Sequence, residues 1–130
     1  PHHFVPSTQF LCIRKSDNKI VGMVNIRHTI DQDYLRQYGG HISYGILPSE
    51  QHKGYGKQIL YLALNKCTEM GIKKVLITCK TKNIASQKCI IANGGKFESK
   101  VCFHTETDVS IPLNRYWIDT QPHYPSINQQ

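Results

Sequence analysis

The chain has 130 residues, a length typical of a single domain. Hydrophobic residues make up 39% and charged residues 19%, which excludes a disordered chain and a charged coiled coil. No apolar run approaches the roughly 20 residues that cross a bilayer, and no signal-peptide pattern opens the chain. Because the sequence does not begin with Met, we expect a processed or excised piece.

The net charge is +7, from sixteen Lys and Arg residues against nine Asp and Glu residues. This balance favours an anionic partner such as nucleic acid, an acidic membrane or a phosphorylated small molecule, and a solvated basic surface fits it equally well. The basic residues are dispersed rather than gathered in a block, which argues against nucleic acid. We expect neither a nucleic-acid nor a membrane partner.

Five cysteines occur in the chain, and no two of them form a CxxC pair: Cys12, Cys67, Cys79, Cys89 and Cys102. Four of them lie in apolar periodic segments, and a free Cys behaves there as a small hydrophobe. The pattern therefore favours reduced structural thiols in a cytoplasmic protein over a disulfide framework or a zinc site. The seven histidines are scattered, with His2 and His3 typical of a disordered end or a tag remnant, so we expect no metal.

The predicted elements follow the order β-β-β-α-β-α-β-β. Strands are predicted over 9–15, 20–30 and 40–47, with a hairpin turn at 16–19 and a loop or one helical turn at 31–37. A helix over 56–70 has apolar residues at i, i+3, i+4 and i+7, and Gly71 ends it. A strand at 74–80, a helix from the N-cap Asn83 to Ala92, and strands at 96–104 and 111–118 complete the chain.

This order predicts one α/β domain over 1–130, with a core at about 9–118 and a loose tail at 119–130. The sheet is expected to be mixed and mostly antiparallel, with helices on its faces. The central strand–helix–strand unit predicts one parallel strand pair.

The segment 48–57, between a strand and the best predicted helix, carries the clearest chemistry. Gly54 and Gly56 permit close approach of a ligand to the backbone. The first N–H groups of the helix have no internal partner and form an anion site. Lys53 and Lys57 add positive charge, so a pyrophosphate suits this segment. Neither a Walker loop nor a dinucleotide fingerprint is present.

The spacing Gln51-x-x-Gly54-x-Gly56 resembles the [QR]xxGx[GA] signature of the GCN5-related N-acetyltransferases (GNAT). The stretch 46–48 is similar to the end of the family's fourth strand, and the helix from Asn83 to 93–95 is similar to its second acetyl-CoA segment. The resemblance extends over residues 9 to about 118, and 40–45 resembles an uncharacterised predicted-acetyltransferase branch.

The resemblance implies acetyl-CoA as co-substrate and a fold whose fourth and fifth strands splay apart. It implies that the backbone of Ile46 and Leu47 pairs with the pantetheine arm, and that the Ile46 N–H polarises the thioester carbonyl. Asn83 and Ser86 are implied in contacts with distal pantetheine, although Asn83 is also a good N-cap. The implied pyrophosphate site comprises Gln51, which braces the turn, and His52, Lys53, Gly54, Tyr55, Gly56 and Lys57.

The sequence departs from the family at both usual acid–base positions. A phenol is expected in the second helix where Ile90 stands, and a carboxylate on the fourth strand near Gly40. His41 is the best remaining candidate for a general base. Tyr44, Glu50 and His28 are weaker candidates, and a water chain is an equal alternative.

Family members normally begin with a strand and two helices that build much of the acceptor pocket, and only eight residues precede the first strand here. Either the chain is a fragment, or a partner chain supplies that wall, or the acceptor site is open. The N-terminal strand and helices are therefore expected to be missing or truncated. An unpaired edge strand and an uncovered apolar face favour a homodimer.

The predicted function is an enzyme that moves the acetyl group of acetyl-CoA to a primary amine of a small molecule or peptide by direct attack. The alternative is a non-catalytic acyl-CoA-binding or interaction module. Arg27 and His28 hint at an acceptor with an anionic group, although a solvated strand face is the favoured interpretation.

Overall fold

Residues 5–120 are described by the computed structural model, and they follow the predicted order of elements. His2, His3 and residues 121–130 of the predicted tail lie outside the described part. The strands are β1 (Ser7–Arg14), β2 (Lys19–Arg27), β3 (Ile42–Ile46), β4 (Lys74–Lys80), β5 (Lys96–His104) and β6 (Ser110–Asp119), and the α-helices are α1 (Tyr55–Glu69) and α2 (Ile84–Ala92). A π-helical turn (Leu35–Gly39) and a 3-10 turn (Pro48–Glu50) precede and follow β3.

The strands form two three-stranded sheets, β1-β2-β3 and β4-β6-β5, and all four strand pairs of the described residues are antiparallel. The predicted parallel pair is therefore wrong: β3 and β4 do not form a ladder. They are joined by the backbone N–H of His41, which donates to the Leu76 carbonyl at 2.8 Å.

The two helices and both sheets share one hydrophobic core. Apolar residues of α1 recur at i, i+3 and i+4 and therefore lie on one face of the helix. This face is buried, with Leu60, Ala63 and Leu64 in the core. Ile77 of the second sheet and Ile90 of α2 are buried in the same core. The helices therefore hold together two sheets that share no ladder.

A tight backbone approach forms at Gly40, just before β3. Its φ of +68° lies in the left-handed region, and a Cβ built there would stand 2.6 Å from the Leu76 carbonyl oxygen. A side chain cannot fit without moving β4, so glycine is required. The predicted strand over 40–47 accordingly begins later, at Ile42.

The chain end of the described part is better ordered than predicted. Thr120 is buried, its N–H donates to the Lys73 carbonyl at 2.9 Å, and its carbonyl accepts from the Thr68 hydroxyl at 2.9 Å. Residues 119 and 120 thus belong to the fold, because β6 continues to Asp119. Within residues 5–120, no helix is both long and apolar enough to span a membrane.

One face of the first sheet is apolar and, within residues 5–120, about half exposed. Leu11 and Met23 lie opposite each other across β1 and β2, and with Ile13 they are about half exposed, at 53%, 47% and 55%. Phe10 and Cys12 alternate with them and pack against the core on the other side. In the described part of the chain, β1 is an edge strand of its sheet.

Candidate active site

A cavity of about 580 Å³ lies beside β3, between the first turn of α1 and the first half of α2. Its walls come from three segments that the sequence analysis singled out: the end of β3, the loop before α1, and the start of α2. The lining residues are Tyr44, Gly45, Ile46, Glu50, Gln51, His52, Gly54, Tyr55, Gly56, Lys57, Asn83, Ala85, Ser86, Lys88 and Cys89.

The loop 51–54 turns sharply into α1. His52 has φ of +65° and Gly54 has φ of +85°, both in the left-handed region. Gly54 is the N-cap of α1, and no side chain of residues 5–120 caps the helix. Its first-turn N–H groups thus lack the usual side-chain acceptor, and Lys57 and Lys88 line the same cavity. This end of the cavity is suited to an anion.

The helices α1 and α2 approach closely beside this loop. A Cβ built on Gly56 would lie 3.0 Å from the Cys89 sulfur, tighter than an ordinary contact. Asn93 at the end of α2 donates its side-chain amide to the Lys57 carbonyl at 3.2 Å. The small residue at 56 therefore lets α2 close one wall of the cavity.

In the described part of the chain, β3 is an edge strand of its sheet, and Tyr44, Gly45 and Ile46 of β3 line the cavity. The Leu47 N–H donates to Val21 at 2.9 Å, so strand alternation directs the backbone of Ile46 and Tyr44 away from β2. The Ile46 carbonyl accepts a bond of 3.3 Å from the Gln51 amide, which ties the loop to the strand. The edge therefore offers the Ile46 N–H to an extended ligand chain.

Tyr44 and Ser86 meet across the cavity. Their hydroxyl oxygens are 3.1 Å apart. Burial is the main cause that raises the pKa of Tyr44 to about 12, so its phenol stays protonated at neutral pH. Asn83 accepts a bond of 3.0 Å from the Ser86 N–H, which confirms its N-cap position and still leaves it in the cavity wall.

His41 is not placed in the cavity wall, contrary to what a general base requires. Its side chain is 6% exposed, and its Nδ1 accepts a bond of 2.9 Å from the Leu76 N–H. Burial, followed by the charge of Arg27, lowers the pKa of His41 to about 4. The structure thus gives His41 a role between the sheets and argues against the candidate base.

Glu50 and His28, two of the weaker candidates for the general base, also bond to other protein groups. Glu50 lines the cavity, but its Oε1 accepts bonds from Arg14 at 2.6 Å and Lys53 at 3.1 Å. The bond from Lys53, followed by that from Arg14, lowers the pKa of Glu50. His28 lies beside Thr8, with 2.7 Å between Nε2 and Oγ1, and is absent from the cavity wall.

Two residues that the family resemblance implied for acetyl-CoA do not line the cavity. The Leu47 N–H is used by β2, and the Lys53 ammonium is paired with Glu50. The Arg27 guanidinium, considered for an anionic acceptor, donates instead to the Gly40 carbonyl at 3.1 Å. Each of these groups is committed to a contact within the protein.

Four lining residues were missed by the sequence analysis: Gly45, Ala85, Lys88 and Cys89. The last three lie at i, i+3 and i+4 of α2, so helical periodicity could have placed them on one face with one another. Ile90, at the expected phenol position, points into the core and is fully buried. Within residues 5–120, no three His, Cys, Asp or Glu side chains are grouped to hold a metal ion.

The sequence matches the family model of the acetyltransferase (GNAT) family over residues 2–92. The chain belongs to this family, a class of acetyl-transferring enzymes. No curated protein matches the sequence significantly.

Solved structures similar to this chain are also acetyltransferases. Spermidine/spermine N-acetyltransferase SpeG from Vibrio cholerae, in complex with manganese ions, matches with a TM-score of 0.71 at 16% identity. The match covers 90% of this chain and 67% of the SpeG chain. A chimera of SpeG from Vibrio cholerae and hSSAT has a TM-score of 0.70 at 16% identity, covering 88% and 67%. A proposed ribosomal-protein-serine acetyltransferase from Vibrio cholerae has a TM-score of 0.65 at 20% identity, covering 87% and 64%. The chain spans about two thirds of the length of these structures, and the likeness shows the fold.

Proposed function

We propose that the protein transfers the acetyl group of acetyl-CoA to a primary amine by direct attack. One observation carries this proposal: the uncapped start of α1 and the free edge of β3 open into the same cavity. An anion site beside a strand edge suits a molecule with a pyrophosphate and an extended amide-containing arm.

In this proposal the pyrophosphate lies against the N–H groups of 52–57, and Lys57 neutralises part of its charge. The pantetheine arm follows the edge of β3 past Asn83 and Ser86. The Ile46 N–H then donates to the thioester carbonyl, where negative charge develops in the tetrahedral intermediate.

The reaction forms a bond between the amine nitrogen and the acetyl carbon and breaks the bond between that carbon and the CoA sulfur. The amine loses its proton through water, because Glu50, the carboxylate in the cavity wall, is already paired with two cations. Tyr44 donates a hydrogen bond to the departing thiolate, since its phenol lies in the cavity and is protonated at neutral pH. Positioning of the two reactants supplies the rest of the rate.

Binding and turnover together test this function. Calorimetry with acetyl-CoA, followed by thiol detection with a panel of amines, is expected to show 1:1 binding and CoA release with at least one amine. Because the similar structures are named for a polyamine and for a ribosomal protein, the panel should include spermidine and peptide amines. Absence of acetyl-CoA binding would refute the proposal.

A non-catalytic acyl-CoA-binding module is the second candidate. It is favoured by the two family positions that carry no acid or base here, Gly40 in the strand contact and Ile90 in the core. Binding of acetyl-CoA without thiol release for every amine tested would support this alternative.

We also propose a cytoplasmic homodimer. All five cysteines are free, which suits a reducing compartment. The half-exposed Leu11, Ile13 and Met23 form an apolar face beside the edge strand β1, which a second copy can cover. Analytical ultracentrifugation should show a dimer that Leu11→Lys dissociates, and a monomeric wild type would contradict it.

A further inference from the structure

Arg14, the last residue of β1, contacts both ends of the loop 51–54. Its Nη1 donates to Glu50 Oε1 at 2.6 Å and to the Tyr55 hydroxyl at 3.2 Å. Glu50 is the last residue before the loop, and Tyr55 is the first residue of α1 after it. One guanidinium, supplied by the first hairpin, therefore holds the loop closed at its base.

The Arg14 guanidinium is itself held in place by Asp17 of the hairpin turn. Asp17 accepts two parallel bonds, from Nε at 3.0 Å and from Nη2 at 2.6 Å. This fork geometry uses the planar shape of Arg, which a Lys cannot reproduce. Because its donors are directed at protein groups and it does not line the cavity, Arg14 is not itself a ligand for an anion.

The loop needs such support because its backbone is unfavourable. His52 holds φ of +65°, a region that a residue with a Cβ seldom adopts, and Gly54 follows at +85°. Among residues 5–120, no side chain caps the start of α1. The bonds of Arg14 with Glu50 and Tyr55, of Lys53 with Glu50, and of the Gln51 amide with the Ile46 carbonyl support this conformation.

We propose that Arg14 is a positioning residue that pre-orders the loop 51–54 for the diphosphate of the acyl donor. This inference rests on the proposed function, because it identifies acetyl-CoA as the ligand of the loop. A donor without a diphosphate does not use the loop and should be indifferent to Arg14. The role therefore predicts a selective effect, which a general loss of folding cannot imitate.

The test compares Arg14→Met with Lys15→Met, an adjacent variant that loses the same charge, although Lys15 makes no bond to the loop within residues 5–120. Affinity is measured by calorimetry with CoA, and kinetics with acetyl-CoA and with S-acetylpantetheine, which lacks the diphosphate. Arg14→Met should raise Kd for CoA and KM for acetyl-CoA by about tenfold and change kcat by less than about threefold. Its KM for S-acetylpantetheine, and all constants of Lys15→Met, should stay within about twofold of wild type.

Two further variants and one further measurement complete the design. Glu50→Gln should reproduce the loss, and the double variant Arg14→Met/Glu50→Gln should lose little more than either alone. Arg14→Lys keeps the charge but loses the planar fork, so its affinity for CoA should lie between those of wild type and Arg14→Met. It is the variant to compare with wild type if Arg14→Met fails to fold. Amide hydrogen exchange in unliganded Arg14→Met should accelerate in 51–54 while the β4 amides keep their protection.

The outcomes separate the two proposals. Unchanged affinity for CoA in Arg14→Met, or an equal loss with both donors, would overturn the positioning role. If wild type binds no CoA, the proposed function fails and this role fails with it. If wild type binds CoA but 51–54 exchanges at the wild-type rate in Arg14→Met, the role of Arg14 alone is refuted.

Discussion

His41 bonds twice to the backbone of Leu76. The His41 N–H donates to the Leu76 carbonyl at 2.8 Å, and the Leu76 N–H donates to His41 Nδ1 at 2.9 Å. The imidazole thus takes the acceptor place that a strand carbonyl would hold in a ladder. This pair joins the two sheets just before β3, although β3 and β4 share no ladder.

This contact predicts that His41 makes stability depend on pH. Its pKa is lowered to about 4 in the fold, chiefly by burial, from an ordinary value of 6.5. Between these values the unfolded chain binds more protons than the folded one, so stability rises with pH. The contribution is complete above pH 6.5 and is lost as pH falls toward 4. Chemical denaturation at a series of pH values measures it.

The matched variant is His41→Asn, because an amide oxygen can accept from Leu76 without titrating. It should remove the slope between about pH 5 and 6.5, while His104→Ala, at an exposed position, should retain it. Arg14 and Arg115 lower the pKa values of Asp17 and Glu98, respectively, to about 2, so these two carboxyls change the stability at lower pH than His41 does. A wild-type slope that survives in His41→Asn would contradict the assignment. Turnover of His41→Asn should stay within about tenfold of wild type.

The sequence predicted the order of elements, and it singled out the segment before α1 that lines the cavity, because both depend on local patterns. The apolar spacing of α1 and the glycines at 54 and 56 are visible within ten residues. The division into two sheets, with no ladder between β3 and β4, was not predictable in this way. It depends on the contact of His41 with Leu76, which are 35 positions apart, and on the left-handed turn at Gly40. For the same reason the contact of Arg14 with Glu50 was not predicted, since the two residues are 36 positions apart.

Gly54 and Gly71 provide a matched pair for testing the loop. Both have left-handed φ, +85° and +81°, and a Cβ at either meets no atom within 4 Å. Substitution by Ala should therefore cost each about 1 kcal/mol of stability through backbone strain alone. Only Gly54 lines the cavity, so Gly54→Ala should also weaken acetyl-CoA binding in calorimetry by about tenfold. Equal affinities of the two variants for acetyl-CoA would show that the loop is not part of the donor site.

Cys89 and Cys102 should differ in their response to the donor. Cys89 lines the cavity and is half-buried, whereas Cys102 on β5 is exposed. CoA should slow alkylation of Cys89 by N-ethylmaleimide and leave Cys102 unaffected, as followed by peptide mass spectrometry. Equal rates at Cys89 with and without CoA would contradict the proposed cavity.

The Cys89 thiol itself should be dispensable for chemistry, because the proposed transfer forms no acyl-enzyme. Cys89→Ala should cost about 1–2 kcal/mol of stability by leaving a cavity and keep turnover within about threefold. A loss of about a hundredfold with intact folding would instead indicate a thiol role.

Tyr44→Phe tests the phenol that the structure places in the cavity. The change removes one oxygen and keeps the ring, so acetyl-CoA affinity should change by less than about threefold. If the phenol assists departure of the thiolate, kcat should fall by about a hundredfold, the lower end for a lost acid. Ser86→Ala, which removes the hydroxyl 3.1 Å away, should lower kcat less, because in the proposed departure of the thiolate Ser86 orients the phenol and donates no proton.

The control for Tyr44→Phe is Tyr61→Phe, a tyrosine of α1 that is 56% exposed and outside the cavity wall. Wild-type kcat should show no loss from phenol ionisation up to about pH 10, because burial raises the pKa of Tyr44 to about 12. The rate should instead keep rising with pH toward the pKa of the amine, since water removes its proton. Turnover of Tyr44→Phe equal to that of Tyr61→Phe would show that the thiolate leaves without the phenol. The Ile46 N–H and the positioning of the reactants would then carry the reaction.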